Sequence, residues 1–557
     1  MTELPIEPHV IRGLDFVGWL LLLALMIFIL AHKYEPIVSM VKQLQVRLNL
    51  DPVNTKLFTL LLLTFGGLAL ATGFQFVKAT LGLTEFAETA SQSEAIRNTG
   101  LALAAVIGVP FLIWRSIVAQ KQVDVAEQGQ ITDRISKAVE GLGAEKTVKK
   151  QRQDNGGNLT YEKDGNGKPI YSKPLMIEVS QPNLEVRIGA LYSLERIAQD
   201  SDRDHEQIME ILCAYVRQNA PLGPPKPLPK EYTDKIAGLR HKGKPDLMEH
   251  EKASDVAKKI RCWVGELRKP REDISVALTV LGRRTQRQIS LEHGFYDRNG
   301  EWQGFRLNLR DTNLTNCDLS GYNFRNVDFS GSDLRGAILT HTELQCANFR
   351  VADLTGANLV HAKLQGTIIN ETLVFAAVAN HARFETDIVS GRSTSLNHSV
   401  WELASLQNTD FSGAWLSPAN FGSARLDRAK FNFNLNRTSF FGAYLYQANF
   451  SGCHLWQVDF SEAFFSSDTR FHGAVVKNSK FRNAINWKEA KFRGSAWLNE
   501  PDKGISSAIK ANSEVFNEDD FATTDFIRED YFERWKEWQV EIGFDPNDPT
   551  TWDEPNT

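Results

Sequence analysis

The chain has 557 residues, more than one hydrophobic core of the usual ~250–300-residue limit can serve, so several domains are expected. Charged residues make up 24% and apolar ones 42%, and a net charge of −5 leaves no global basic surface for nucleic acid; a disordered chain and a histone-like role are both excluded. The five cysteines, Cys213, Cys262, Cys317, Cys346 and Cys453, are odd in number and form no CxxC, which excludes a disulfide framework or zinc module and fits a reducing compartment.

The first 120 residues read as a transmembrane domain. Three stretches without charge, Phe16–His32, Leu57–Val77 and Asn98–Trp114, predict spans at about 16–32, 57–77 and 98–117, each near the ~20 helical residues that cross a bilayer core. The amino end is acidic (Glu3, Glu7, Asp15), which favours a retained anchor over a signal peptide. Lys33, Lys42, Arg47 and Lys56 lie between the first two spans, whereas the next loop has only Lys78 and Arg97 against three glutamates. Basic loops stay inside, so the amino terminus is expected outside and the bulk of the chain in the cytoplasm of a bacterial inner membrane. The uncharged stretches hold no Asp, Glu, Lys or Arg, so a proton or ion path of the usual kind has no candidate residue. Gly67 and Ala71, then Gly100, Ala104 and Gly108, place small residues every four positions, the spacing that lets membrane helices approach closely, within one chain or between copies.

Residues 121–182 are expected to form a helical stalk and a flexible linker. Ile131, Ile135, Ala138 and Leu142 keep a 4-3-4 spacing interrupted by Gly129, and the DNGGN and DGNGKP segments predict tight turns. The second of these lacks the ligands and glycine of a calcium loop, since Lys168 and Pro169 stand in the required places. From 183 to 300 the period becomes helical. Leu184, Ile188, Leu191 and Leu194 form one stripe, Ile208, Ile211, Leu212, Tyr215 and Val216 a second, and Ile274, Ala277, Leu278 and Leu281 a third beginning near Pro270. The Pro221–Pro229 stretch is expected to be the least ordered part. Cys213 sits inside an apolar stripe and is expected in the core.

Between 301 and 499 the sequence repeats every five residues. Leu309, Leu314, Leu319, Phe324, Phe329, Leu334, Leu354 and Leu359 belong to a run without a slip to Ile369; Phe411, Phe421, Phe450 and Phe460 belong to a second run after an interruption near 390–400. The second run slips by one near Leu435 and again before Phe471. A small residue stands two positions before most large ones. One large and one small inward residue per five means short walls that stack coil on coil. The units ANFRV, ADLTG, ANLVH, ANFGS and ANFSG are similar to the A(D/N)LXX repeats of the pentapeptide-repeat family. That resemblance implies a right-handed quadrilateral β-helix with four pentapeptides per coil, here about nine coils and ~40 Å at the strand spacing of paired backbones. The layout as a whole is similar to bacterial membrane-anchored pentapeptide-repeat proteins. Residues 500–557 are expected to hold a capping helix (Ile527, Tyr531, Trp535, Trp538) and an acidic tail.

The fold class expected is therefore multidomain, with three transmembrane helices, a cytoplasmic α-helical domain and a β-helix. No catalytic, cofactor or metal motif is present, which points away from an enzyme. Some family members resemble duplex DNA and bind gyrase, but residues 301–500 carry nineteen Lys and Arg against eighteen Asp and Glu, too neutral for such mimicry. The expected function is a non-catalytic scaffold whose partners are membrane lipids, proteins of unknown identity and further copies of itself through the spans or the C-terminal cap, with no nucleic acid. A membrane-perturbing defence or toxicity effector is the alternative.

Overall fold

The computed structural model describes residues 35–48, 54–81, 89–224, 226–240, 247–292, 294–296, 302–431, 435–498, 513–516, 529–545, 548 and 551. The first expected span, 16–32, lies outside them. The chain divides into two units, Met1–Asp133 and Arg134–Thr557.

The first unit contains α1 (Glu35–Arg47), α2 (Thr55–Thr80) and most of α3 (Thr89–Leu142). Among the described residues two helices, against the three spans expected, are long and apolar enough to cross a membrane: Thr55–Thr80 and Ser93–Leu142, with mean hydropathy 2.0 and 2.1 over their most apolar windows. Those windows are 6% and 0% buried, so the apolar side chains face outward instead of filling a core. The hydroxyls of Thr64 and Thr72 donate to Leu60 O and Leu68 O, one turn back, which satisfies them without water. α3 runs on without a break through Gly129, contrary to the expected interruption; a lone mid-helix glycine costs only ~1 kcal/mol.

In the second unit a β-ribbon follows. β1 (Glu145–Gln151) pairs antiparallel with β4 (Met176–Pro182), and β2 (Tyr161–Lys163) with β3 (Pro169–Pro174). The Asp154 and Asp164 carboxylates accept N–H groups inside the two turns, and Gly157 and Gly167 take the left-handed backbone those turns need. Helices α4 (Leu184–Asp200), α5 (His205–Asn219) and, further on, α8 (Glu272–Gly282) bury the three predicted stripes against one another: Leu191, Leu194, Ile208, Leu212, Val216, Ile274 and Leu281 are at most 1% exposed. Ala138 and Leu142 from the end of α3 are buried too, and Gly141 meets Ala190 of α4. Tyr215 Oη donates to the fully buried Asp273 at 2.5 Å, and Arg271 donates to the same carboxylate at 2.8 Å. Burial opposes the charge on Asp273, but the Arg271 and Tyr215 hydrogen bonds outweigh it and hold its pKa below the ordinary value.

Between these helices the charged segment after Pro229 forms α6 (Lys230–Arg240) and α7 (Leu247–Gly265). Ile236, Val256, Ile260 and Val264 supply an apolar stripe hidden among charges. A short helix, α9 (Gln286–Leu291), opens with a capping box between Thr285 and Gln288, and β5 (Gly294–Tyr296) pairs with β6 (Trp302–Gly304).

From Leu307 the chain winds into a column of stacked rungs. In the regular coils, parallel bridges join one residue of each pentapeptide to one 20 positions on, as in Asn308–Asp328–Asn348–Ile368, so one coil holds four pentapeptides. The Asp or Asn before each large residue accepts the N–H two positions ahead, as Asp318 does from Ser320 at 3.0 Å and Asn449 from Ser451 at 3.0 Å. The residue two positions after the large one turns the corner with positive φ; glycine fills this place at Gly321 and Gly331, yet even Val351 is held there at 59°. Buried threonines at the small position donate to carbonyls of the preceding coil, as Thr372 does to Phe349 O at 2.7 Å. Inside run two aromatic stacks: Phe384, Phe411, Phe431, Phe450, Phe471 and Phe492 on one side, Trp401, Phe421, Phe440, Phe460 and Phe481 on the other.

The five-residue run does not stop at Ile369 but continues through Val374, Ala379 and Phe384, all buried. Ile368 then pairs with Ser395, 27 positions on, so seven extra residues enter between Phe384 and Leu396. The two slips appear as a coil of 19 (Asn420 to Ser439) and one of 21 (Asn449 to Arg470).

An open column end needs its backbone groups satisfied. At the first coil Asn313 N donates to Ala220 O and Asn323 N to Gly282 O, while Arg284 donates to Asn323 O, so the helices seal it. At the far end Ser513–Phe516 adds a parallel strand to Ser495–Leu498. Helix α10 (Glu529–Glu541) leans on a corner of the last coils: Trp535 Nε1 and Gln539 Nε2 donate to Gly494 O, and Phe544 fills the space left by Gly473 and Gly494. Of its expected apolar positions, Ile527 lies outside the described residues.

Candidate interaction surface

The twelve Leu and Phe residues singled out in the repeats are at most 1% exposed. They build the column and touch no solvent, so a functional surface has to lie on the outward positions between them. In the first unit, Gly100 takes the Phe76 ring of α2, 3.2 Å from where its Cβ would be. Gly67 and Gly108 have no atom within 4 Å of that place, and Ala104 is exposed. The small-residue faces are thus mostly open.

α6 and α7 lie along one flank of the column. Ile236, Ala257, Ile260 and Val264 pack on Ala376 and Leu403, and Arg261 Nη1 donates to Ala376 O at 3.0 Å. Asn316, a corner residue of the repeats, donates from Nδ2 to Val264 O and Leu267 O, both at 2.9 Å, and so caps the C-terminus of α7. A Cβ at Gly336 would stand 2.6 Å from Val264 Cγ1, which is why glycine holds that corner.

Beside this helix pair opens a groove of about 630 Å³. Leu228, Ile236 and Trp263 wall it on the helical side, Val351, Leu373 and Phe375 on the column side. Its floor is polar. Arg335 donates to Asp333 at 2.9 and 2.5 Å and to Lys226 O at 2.6 Å, and its guanidinium lies 5.7 Å from the Trp263 ring centroid. Asp333 holds the Arg335 pKa up; burial raises that of Asp353, whose carboxylate stands 3.7 Å from Arg335. These residues sit at the variable outward positions of the repeat, where sequence gives no signal that they converge.

The seven-residue insertion forms a tight turn on another edge. Asp387, 5% exposed, accepts the Ser390 N–H at 2.8 Å, lies 3.7 Å from Arg325, and pairs through its backbone with Arg392. At the tip Ile388 is 94% and Val389 83% exposed. On a third edge His341, His361 and His381 stack at 4.8 and 4.9 Å, exposed and near parallel; burial and the two neighbours lower the pKa of His361. Among the described residues no three His, Cys, Asp or Glu side chains converge on a metal position. Burial pushes the thiols of Cys213 and Cys317 up to about 12, which leaves them unreactive.

The model of the family described as pentapeptide repeats matches eight copies, in segments from 306–340 to 438–485 with a gap at 371–391. The column is similar to HetL, a pentapeptide repeat protein involved in heterocyst differentiation regulation from the cyanobacterium Nostoc (24% identity, 36% of this chain and 90% of that one, TM-score 0.21). It is also similar to QnrB1, a plasmid-mediated fluoroquinolone resistance protein (15% identity, 35% and 88%, TM-score 0.19), and to a pentapeptide repeat protein of the Arabidopsis thaliana thylakoid lumen (29% identity, 20% and 61%, TM-score 0.10). No curated protein matches the chain. With rungs spaced by five residues and a family match over 306–370 and 392–485, this part of the chain is a pentapeptide-repeat region.

Proposed function

We propose that the chain is an integral membrane scaffold, without catalytic activity, that holds a stiff pentapeptide-repeat rod in the bacterial cytoplasm. Its column is taken to be the right-handed, four-sided β-helix of the family, and the span at 16–32 to complete three crossings with the amino terminus outside. The observation that carries this reading is the coexistence of two long helices with outward-facing apolar side chains and a column stiffened by continuous aromatic stacks. Bilayer lipid covers the former; the latter keeps outward side chains in fixed register, which suits docking more than chemistry.

Protease treatment of membrane vesicles tests the arrangement. Cleavage in the exposed ribbon 145–182 is expected in inside-out vesicles only; cleavage in right-side-out vesicles alone refutes the orientation. The open faces at Gly67 and Gly108 also suit association of helices into a membrane-perturbing assembly. A membrane-potential dye separates the readings on induction: an intact potential supports the scaffold, and depolarisation supports the effector.

A further inference from the structure

The outward residues of the column group into four faces by bridge register. The first reads Asn308, Asp328, Asn348, Ile368, Ser395, Trp415, and the fourth Asn323, Glu343, Lys363, Arg383, Asp410, Lys430. The fourth is charged almost throughout. The first changes character half-way along: the outward positions at 368, 370, 395, 397, 415 and 417 bear no charge at all, and Trp415 is 66% exposed. Charge depletion with an exposed aromatic is the compositional mark of an interface core.

This uncharged stretch is bordered by two unlike features. On the edge shared with the fourth face stands the Ile388–Val389 turn, between Phe384 and Leu396. On the edge shared with the second face lies the Trp263 groove, with Val351 at the corner and Leu373 on the adjoining face. Leu373 and Phe375 flank Val374, which belongs to the same coil as Phe384, so the turn and the Leu373–Phe375 end of the groove meet the face at nearly the same height. A two-fold axis running parallel to the column, just outside the first face, exchanges left and right while preserving height. It therefore brings the turn of one copy opposite the groove of the other, twice over. Such an axis leaves both columns pointing the same way.

We propose that the first face is a self-association surface, on which a second copy of this chain docks in parallel, the Ile388–Val389 turn of each copy seated in the Trp263 groove of its partner. The turn is pre-organised by the buried Asp387, so little ordering entropy is lost on docking. The groove, within the range of ligand-sized clefts, takes two β-branched side chains. The contact is isologous and closes on itself, so it yields dimers and not filaments. The geometry stands whether or not the chain is membrane-bound.

The test introduces the photocrosslinker benzoylphenylalanine at position 389 of the full-length chain, mixed with heavy-isotope-labelled copies. Light-to-heavy adducts on Trp263, Leu373 or their neighbours are expected. Adducts confined to lipid, to other proteins or to position 389 of the second copy overturn the proposal. As a second readout, Ile388→Asp is expected to weaken dimerisation roughly tenfold or more, as loss of a buried anchor does, while thermal unfolding stays unchanged because the side chain is solvent-exposed within the monomer. An unaltered dimer fraction in a normally folded Ile388→Asp chain refutes it equally.

Discussion

Replacing Phe450 by alanine opens a hole in the middle of the longer aromatic stack. Phe450 is fully buried, with its ring face to face with Phe431 at 4.7 Å and Phe471 at 5.0 Å and edge-on to Phe440 and Phe460 at 5.6 and 5.5 Å. Removal of a buried phenyl costs about 3–5 kcal/mol, and each lost stack contributes ~0.5–1.5 kcal/mol beyond area, so the upper part of that range is expected. Because each coil touches only its neighbours, the loss should spread up and down the column and not across the whole chain. Urea unfolding in detergent followed by tryptophan fluorescence measures the total; hydrogen exchange read by mass spectrometry locates it. Faster exchange in the coils around Phe431 and Phe471, with α4 and α5 unchanged, is the expected pattern. A loss below about 1 kcal/mol, or faster exchange at Phe450 alone, would refute the idea that stacked rings stiffen the column.

Further perturbations follow from other contacts. Gly336→Ala should unseat α7 at a cost of about 1–3 kcal/mol, because the new methyl collides with Val264 and the backbone there is left-handed; exchange at 256–265 reports it. Asn316→Gly keeps the corner conformation but removes two hydrogen bonds to the end of α7, for a smaller loss of about 1–2 kcal/mol at the same sites. The Asp273 pKa is depressed in the folded chain, so its contribution to stability is complete above the ordinary value of 3.8 and disappears as pH falls through the folded value. Asp273→Asn should flatten that acid limb of an unfolding curve and leave the neutral part lower but parallel. A maleimide reagent should label the exposed Cys262 rapidly and the four buried cysteines only on unfolding; rapid labelling of Cys213 or Cys453 would contradict the packing.

Much of this architecture is legible in the residues. Leucine and phenylalanine every fifth position betray the column, and the irregular spacing at Leu435 and Phe471 marks where coils lose or gain one residue. The insertion is harder to place, because Val374 and Ala379 lack the bulk that makes the period visible, although both face inward. α6 and α7 escape because their stripe at Ala253, Val256, Ala257, Ile260 and Val264 is diluted by lysines and needs the flank of the column as its partner. The groove cannot be read in advance at all. Arg335, Asp353 and Trp263 meet only after coils stack at 20-residue register and α7 lies alongside, a convergence no local pattern records.

The claim on which the functional reading rests is that the outward-facing apolar stretches within the helices at 55–80 and 93–142 lie in lipid. Alkaline carbonate extraction of membranes carrying the full-length chain measures this most directly. Retention in the membrane pellet is expected; release into the supernatant as a folded, soluble chain would contradict it.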